Sequence, residues 1–179
     1  MLNCHLGWGT EEEYALSIGL MPYPVLCRPF KAMLFYESVM PVPMTCHSPK
    51  IMHGYLSRPL DGKLHPVVLV PPGAGSQKIY PSDYFPKAGM IYLKIEIHGN
   101  DQRLPDDEYN RMRAEKCEGY MCWGMASRDT YYYKDVYAGC ARAVDFLCSL
   151  PDWDGKNVIV TGGSQGGALS IITAALNEK

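Results

Sequence analysis

Val158-Ile159-Val160-Thr161-Gly162-Gly163-Ser164-Gln165-Gly166-Gly167-Ala168-Leu169 is the stretch whose reading decides the fold. An apolar run ends in a cluster of small residues with one serine at its apex, and a helical pattern to Leu176 follows directly. Strand, tight turn and helix in that order is the context in which G-x-S-x-G becomes a nucleophile elbow. The small residues have a physical reason: the serine backbone is forced into a strained turn, and glycine on either side lets strand and helix approach while the hydroxyl stays exposed. A phosphate-cradling loop is the competing reading. It fails because no Gly-Lys-Ser/Thr ending is present and Ser164 occupies the middle glycine position of a G-x-G-x-x-G register.

Working outward, Asp154-Gly155 turns the chain into that strand, and Pro151 ends a preceding helix. The pattern predicts this helix from a cap at Asp129 or Thr130 to about Leu150, with Tyr133, Val136, Tyr137, Cys140, Val144 and Leu147 on its inner face. Further back, Met90 to Ile97 reads as a strand with Ile91, Leu93, Ile95 and Ile97 on one face. Tyr92, Lys94 and Glu96 take the other, which makes this strand less enclosed than its neighbours. Pro66 to Val70 is the continuous apolar run of a fully buried strand, broken by Pro71-Pro72-Gly73-Ala74-Gly75. Lys50 to Arg58 is a strand before it, and Asp61-Gly62-Lys63 reads as the turn of a hairpin between the two.

Two segments lack a regular period. Gly99 to Thr130 is rich in charge, glycine and aromatics and too long for a plain connection, which marks it as a functional or capping loop. Residues 1–48, with Pro22, Pro24, Pro29, Pro41 and Pro43, read as an irregular lead-in with one short strand near Met33 to Tyr36. Residues 49–179 read as the N-terminal portion of the domain proper. A hairpin followed by alternating strand and helix predicts an α/β architecture: a mostly parallel sheet with helices on both faces. The C-terminal strand ends then share one edge, where Gly73, His98 and Ser164 meet and where ligands of open α/β sheets bind.

Composition narrows the function classes. With 179 residues, 47% hydrophobic and 20% charged, the chain suits one domain with a sizeable core. A net charge of -2 leaves no electrostatic footprint for nucleic acid, and no apolar run is long enough to span a bilayer. Small neutral substrates fit better than polyanions. The seven cysteines, at 4, 27, 46, 117, 122, 140 and 148, form no C-x-x-C pair and are odd in number, which argues against a disulfide framework. Cys140 and Cys148 fall in the helical pattern and read as small buried hydrophobes rather than as redox or metal groups. The N-terminus lacks the basic and apolar regions of a secretory signal. A reducing, cytoplasmic location is the expectation.

Three segments together are far more specific than the elbow: Asp129-Thr130-Tyr131-Tyr132-Tyr133-Lys134-Asp135-Val136-Tyr137, Ala143-Val144-Asp145-Phe146, and Val160 through Leu169. In these the chain resembles the acetyl xylan esterase and cephalosporin C deacetylase family of α/β-hydrolases, particularly its Bacteroides-type members. The resemblance extends weakly back to about Ile51, through Val70 to Gly75 and Ile97-His98-Gly99. It implies an α/β-hydrolase fold and removal of acetyl groups from sugars or xylo-oligosaccharides, with Ser164 as nucleophile and no metal or organic cofactor. It implies that the backbone N–H of Gln165 is one oxyanion-hole donor and that the second lies in Pro71 to Gly75. Pro72 has no N–H, so Gly73 is the expected donor, with Ala74 in its place if the register slips by one. Family members carry an aromatic residue near this position, and glycine here is a departure that bears on acyl-group fit.

Within that family the acid and the histidine follow the serine, yet residues 165–179 contain neither Asp nor His. The expectation is that this is the first part of an enzyme, nearly inactive as given and prone to association along its last strand. Related enzymes form larger oligomers, so a homo-oligomer is an implied state. Two other readings stand beside this one: a peptidase-like or general esterase of the same fold, and a non-catalytic fragment that binds a ligand or partner. His98 is the histidine placed at the functional edge; a stand-in base is one reading of it, and a hydrogen-bonded structural role is the expectation. His5, His47, His53 and His65 read as surface or packing residues. Asp101, Asp106, Asp107 and Glu108 read as a solvated acidic loop. Tyr131-Tyr132-Tyr133 read as packing residues whose hydroxyls reach water.

Overall fold

The computed structural model describes residues 30–38 and 51–177, with the backbone alone described for 30–38 and Ile51. Its strands are β1 (Phe30–Ser38), β2 (Ile51–Pro59), β3 (His65–Val70), β4 (Ile91–Glu96) and β5 (Trp153–Val160). They form one sheet in the order β1-β2-β4-β3-β5. β2 is antiparallel to both β1 and β4, whereas β3 is parallel to β4 and β5. The helices are α1 (Tyr84–Lys87), α2 (Asp106–Lys116), α3 (Tyr132–Cys148) and α4 (Gln165–Leu176), with a 3-10 turn at Tyr120–Cys122. The strand expected near Met33 to Tyr36 is β1. The rest of the lead-in, with Cys4, Cys27, Cys46, His5 and His47, lies outside the described residues.

The hairpin expectation is overturned: β2 and β3 do not pair, because β4 lies between them. A turn at Asp61-Gly62 reads the same whether its strands pair or diverge; here Asp61 Oδ1 accepts the Lys63 N–H at 3.1 Å and Gly62 sits at φ 71°. What decides the pairing is burial. β3 is apolar over Pro66–Val70 and takes a parallel partner on each edge. β4 is likewise an inner strand, against the expectation that it is less enclosed: Tyr92 is buried and stacks on Phe85 at 5.1 Å, so α1 covers the face that carries Tyr92.

The opposite face holds the main core. Ile91, Leu93, Ile95 and Ile97 form one cluster with Val67 and Leu69 of β3 and with Val136, Cys140, Val144 and Leu147 of α3. Burying each such side chain stabilises the fold by about 1.5–3 kcal/mol. The helix comes close because Gly139 faces β2: a β-carbon there would lie 2.0 Å from Met52 Sδ. The predicted cap of α3 is not used. Thr130 Oγ1 donates to the Gly124 and Ser127 carbonyls, and the helix begins after Tyr131 with no side-chain cap. Cys117 and Cys140 are buried, Cys122 is exposed and Cys148 intermediate.

His53 and His65 are packing residues, both buried. Burial lowers the pKa of His53. His65 places Nδ1 2.9 Å from the Gly89 carbonyl and Nε2 2.8 Å from Asp61 Oδ1.

Candidate active site

β5 delivers the chain to Thr161, whose N–H donates to the Leu69 carbonyl at 3.0 Å, so β3 and β5 end in step. Ser164 follows at φ 53°, ψ −123°, exposed, directly before α4. A non-glycine residue at such a φ is uncommon and strained, and its surroundings must hold it there. They do so through backbone contact. A β-carbon on Gly162 would lie 2.7 Å from the Gly166 carbonyl carbon, and one on Gly166 would lie 2.6 Å from the Pro71 carbonyl oxygen. Glycine at 162 and 166 is therefore a requirement of the close approach, as the motif implied.

The loop after β3 closes over the elbow. Gly73 is exposed, and its β-carbon position is 3.8 Å from the Gly163 carbonyl oxygen. The Gln165 side chain joins the two segments: Nε2 donates to the carbonyls of Pro72 and Gly73, each at 3.4 Å. Its Oε1 accepts the hydroxyls of Tyr120 and Tyr133, each at 2.6 Å. Tyr120 also accepts the Gly75 N–H at 3.3 Å. Burial, and then the neighbouring Tyr120, pushes the Tyr133 pKa well above that of a free phenol, so Tyr133 stays a donor at neutral pH.

His98 joins through aromatic contacts. Its ring meets Tyr120 edge-on at 4.4 Å and stacks with Tyr132 at 5.7 Å. Its Nδ1 is 2.6 Å from the Tyr132 hydroxyl, which donates to the Ile97 carbonyl at 3.0 Å. A phenol has one proton, so with that proton on the carbonyl it is His98 Nδ1 that donates to Tyr132. Below it, the buried Glu96 carboxylate accepts the N–H groups of His98 at 2.6 Å and Asn100 at 2.9 Å. Burial, then the Glu96 charge, raises the Tyr132 pKa strongly.

Tyr120 is the residue that links the segments of Gly73, His98 and Ser164: its ring meets His98, and its hydroxyl meets Gln165, which follows Ser164, and Gly75, in the loop that carries Gly73. Sequence reasoning missed Tyr120 and the Gln165 side chain, since their meeting spans 45 positions and leaves no local pattern. The tyrosine run is corrected in one respect: Tyr133 is buried as expected, but the Tyr132 and Tyr133 hydroxyls bond to protein groups rather than reaching out to water.

The stretch expected as a loop over Gly99 to Thr130 contains α2 and buttresses residues 75–79. Gln102 Oε1 accepts the Ile79 N–H at 2.9 Å, Tyr109 donates to the Ser76 carbonyl at 3.1 Å, and Arg113 donates to the Gly75 carbonyl at 2.7 Å. Of the acidic residues Asp106, Asp107 and Glu108 are exposed and Asp101 is half-buried, and they are not loop residues throughout. Asp106, Asp107 and Glu108 form the first turn of α2, where negative charge is favourable, and Asp106 pairs with Lys78 at 2.7 Å. Asp101 is held by Arg103 at 2.7 Å. Among the described residues no cluster of three or more His, Cys, Asp or Glu is placed to hold a metal, and no helix is long and apolar enough to cross a membrane.

Residues 41–179 match the family model described as Acetyl xylan esterase (AXE1). The acetyl esterase Axe7A of Xylanibacter ruminicola is 47% identical over 133 residues, which are 72% of this chain and 30% of that protein. Among solved structures, the acetyl xylan esterase from Paenibacillus sp. R4 has a TM-score of 0.69 at 26% identity, over 99% of this chain and 51% of that one. Acetyl xylan esterase 1 from Thermoanaerobacterium sp. JW/SL YS485 reaches the same TM-score of 0.69 at 17% identity, over 98% and 49%, a likeness of fold. The chain thus spans 30% of the curated relative and about half of each solved structure.

Proposed function

The chain belongs to the acetyl xylan esterase family and has its α/β-hydrolase fold, and from that premise we propose that it carries the nucleophile and oxyanion hole of a serine esterase acting on acetylated sugars. Ser164 Oγ, giving up its proton to a base, attacks the acetyl carbonyl, and the backbone N–H groups of Gln165 and Gly73 stabilise the oxyanion. The ester C–O bond breaks so that the sugar leaves as its hydroxyl with that proton, and water then releases acetate from the acyl-enzyme and restores the serine hydroxyl. Each oxyanion donor is worth roughly 3 kcal/mol of barrier. The observation that carries this reading is the strained, exposed Ser164 at φ 53°, ψ −123°, with Gly73 drawn up to the carbonyl of Gly163, the residue before it.

The histidine and carboxylate that would complete the site lie, on this proposal, outside the 179 residues. Gln165 to Lys179 hold neither Asp nor His, and the relatives are longer. A serine without its base is a poor nucleophile: losing a triad histidine costs on the order of a million-fold in turnover.

The test is hydrolysis of p-nitrophenyl acetate and labelling by a fluorophosphonate probe, on the natural polypeptide that carries residues 1–179 and on its Ser164→Ala variant. Serine-dependent turnover and labelling are expected. Equal turnover by both proteins would sink the reading. The same pair run on residues 1–179 alone should show almost none, and serine-dependent turnover there would make His98 the base.

A further inference from the structure

We propose that the Gln165 side chain is a positioning residue that aims the Gly73 N–H, so that one residue supplies the first oxyanion donor from its backbone and directs the second through its amide. This rests on the acyl-transfer reading above.

The peptide between Pro72 and Gly73 is the unit being aimed. Its carbonyl oxygen and its N–H belong to one rigid plane and point in opposite directions in a trans peptide. Whatever holds the Pro72 oxygen therefore sets where the Gly73 N–H points. Gln165 Nε2 donates to that oxygen and to the next carbonyl, Gly73, at 3.4 Å each. Without such a hold the unit is soft, since glycine permits both signs of φ and a peptide flip at a Pro-Gly pair is a small rearrangement.

The amide itself is locked. Carbonyl oxygens only accept, so the nitrogen must face the loop. The oxygen then faces two phenol donors, Tyr120 and Tyr133, each at 2.6 Å. Turning the amide over would set its NH2 against both hydroxyls and its oxygen against two carbonyls. Tyr120 closes the circuit by accepting the Gly75 N–H, which ties the far end of the same loop to the same amide. The two tyrosines thus fix Gln165, and Gln165 fixes the loop.

The experiment uses the natural polypeptide carrying residues 1–179, with kcat and KM for p-nitrophenyl acetate and the melting temperature measured for Ser164→Ala, Gln165→Glu, Gln165→Met and Tyr120→Phe/Tyr133→Phe. Glutamate keeps the length and still accepts both hydroxyls, but offers no donor to Pro72 or Gly73; methionine removes both functions. Expected is a fall in kcat of about 30- to 100-fold for either Gln165 variant, with KM within about 3-fold of wild type, the signature of a misplaced transition-state contact. The double tyrosine variant should show a smaller fall in kcat.

A Gln165→Glu or Gln165→Met protein with kcat within about 2-fold of wild type overturns the proposal. So does a rise in KM with kcat unchanged, or a kcat loss that merely tracks a collapse of melting temperature in both variants. If Ser164→Ala keeps wild-type turnover, the acyl-transfer reading fails and this inference falls with it. An inactive Ser164→Ala beside unaffected Gln165 variants overturns this inference alone.

Discussion

Gly166 faces the carbonyl oxygen of Pro71 so closely that a β-carbon on the glycine would stand 2.6 Å from it. The start of α4 is thereby set against the loop that leaves β3, and backbone cannot retreat as a flexible side chain can. Gly163 is the contrast: nothing lies within 4 Å of its β-carbon position, and its φ is not positive. Gly166→Ala should destabilise the fold by about 2–3 kcal/mol, as overpacking does. Gly163→Ala should stay within about 0.5 kcal/mol. Urea denaturation of the two variants decides, and equal stabilities would show that the close approach is not a constraint.

Met52 and Gly139 make a second such pair, with a movable partner. An alanine at 139 would press on Met52 Sδ, but methionine has several torsions with which to yield. Gly139→Ala should cost about 1–3 kcal/mol, and much of that should vanish in a Met52→Ala background, giving a coupling above about 0.5 kcal/mol in a double-mutant cycle. Strict additivity would mean that the helix and β2 do not constrain each other there.

Alkaline stability follows from the buried phenols. Burial raises the Tyr92 pKa to about 12, and raises Tyr132 and Tyr133 as well, against the ordinary phenol value of 10.0. The sign follows directly: above about pH 10 the unfolded chain loses phenol protons that the folded chain retains. It binds fewer protons, so stability falls as pH rises. The contribution is complete below about pH 10 and disappears as the pH climbs through the folded values. Phenolate absorbance should show Tyr92, Tyr132 and Tyr133 ionising late, together with unfolding. Ionisation of all tyrosines near pH 10 in a still-folded protein would contradict this.

Strand β5 pairs with β3 alone among the described strands; Ile159 on it is 40% exposed, and Ile171 on α4 is more exposed still. An open, apolar edge invites pairing with another chain. Residues 1–179 expressed alone should therefore associate in sedimentation velocity, and Ile159→Lys should shift the distribution toward monomer. A sharp monomeric, cooperative unfolding transition of the unmodified 179-residue polypeptide would be the opposite result.

Legibility differed from place to place for a physical reason. The inner face of α3 and the Ile91, Leu93, Ile95 and Ile97 stripe were readable because periodicity is a local property, and both faces proved to be core. Partner choice was not. The turn at Asp61-Gly62 looks like a hairpin turn because a turn reports chain reversal, and reversal alone does not say that β4 will come between the two strands. The cap of α3 failed similarly: Thr130 has the right side chain but commits its hydroxyl to the Gly124 and Ser127 carbonyls of the incoming loop.

By itself the sequence determined the elbow, because strand, small-residue turn and helix lie within a dozen neighbouring positions and each is specified by residues beside it. Gly162 and Gly166, on either side of Ser164, leave strand, helix and loop free to approach where any larger residue would hold them apart. Only the tertiary structure decided what surrounds that serine. Tyr120 and Tyr133 reach Gln165 from 45 and 32 positions away, and Gln165 reaches Pro72 across 93. Contacts of that kind depend on which strands pair and how closely a helix can lie on them, and such long-range geometry writes no period into the chain.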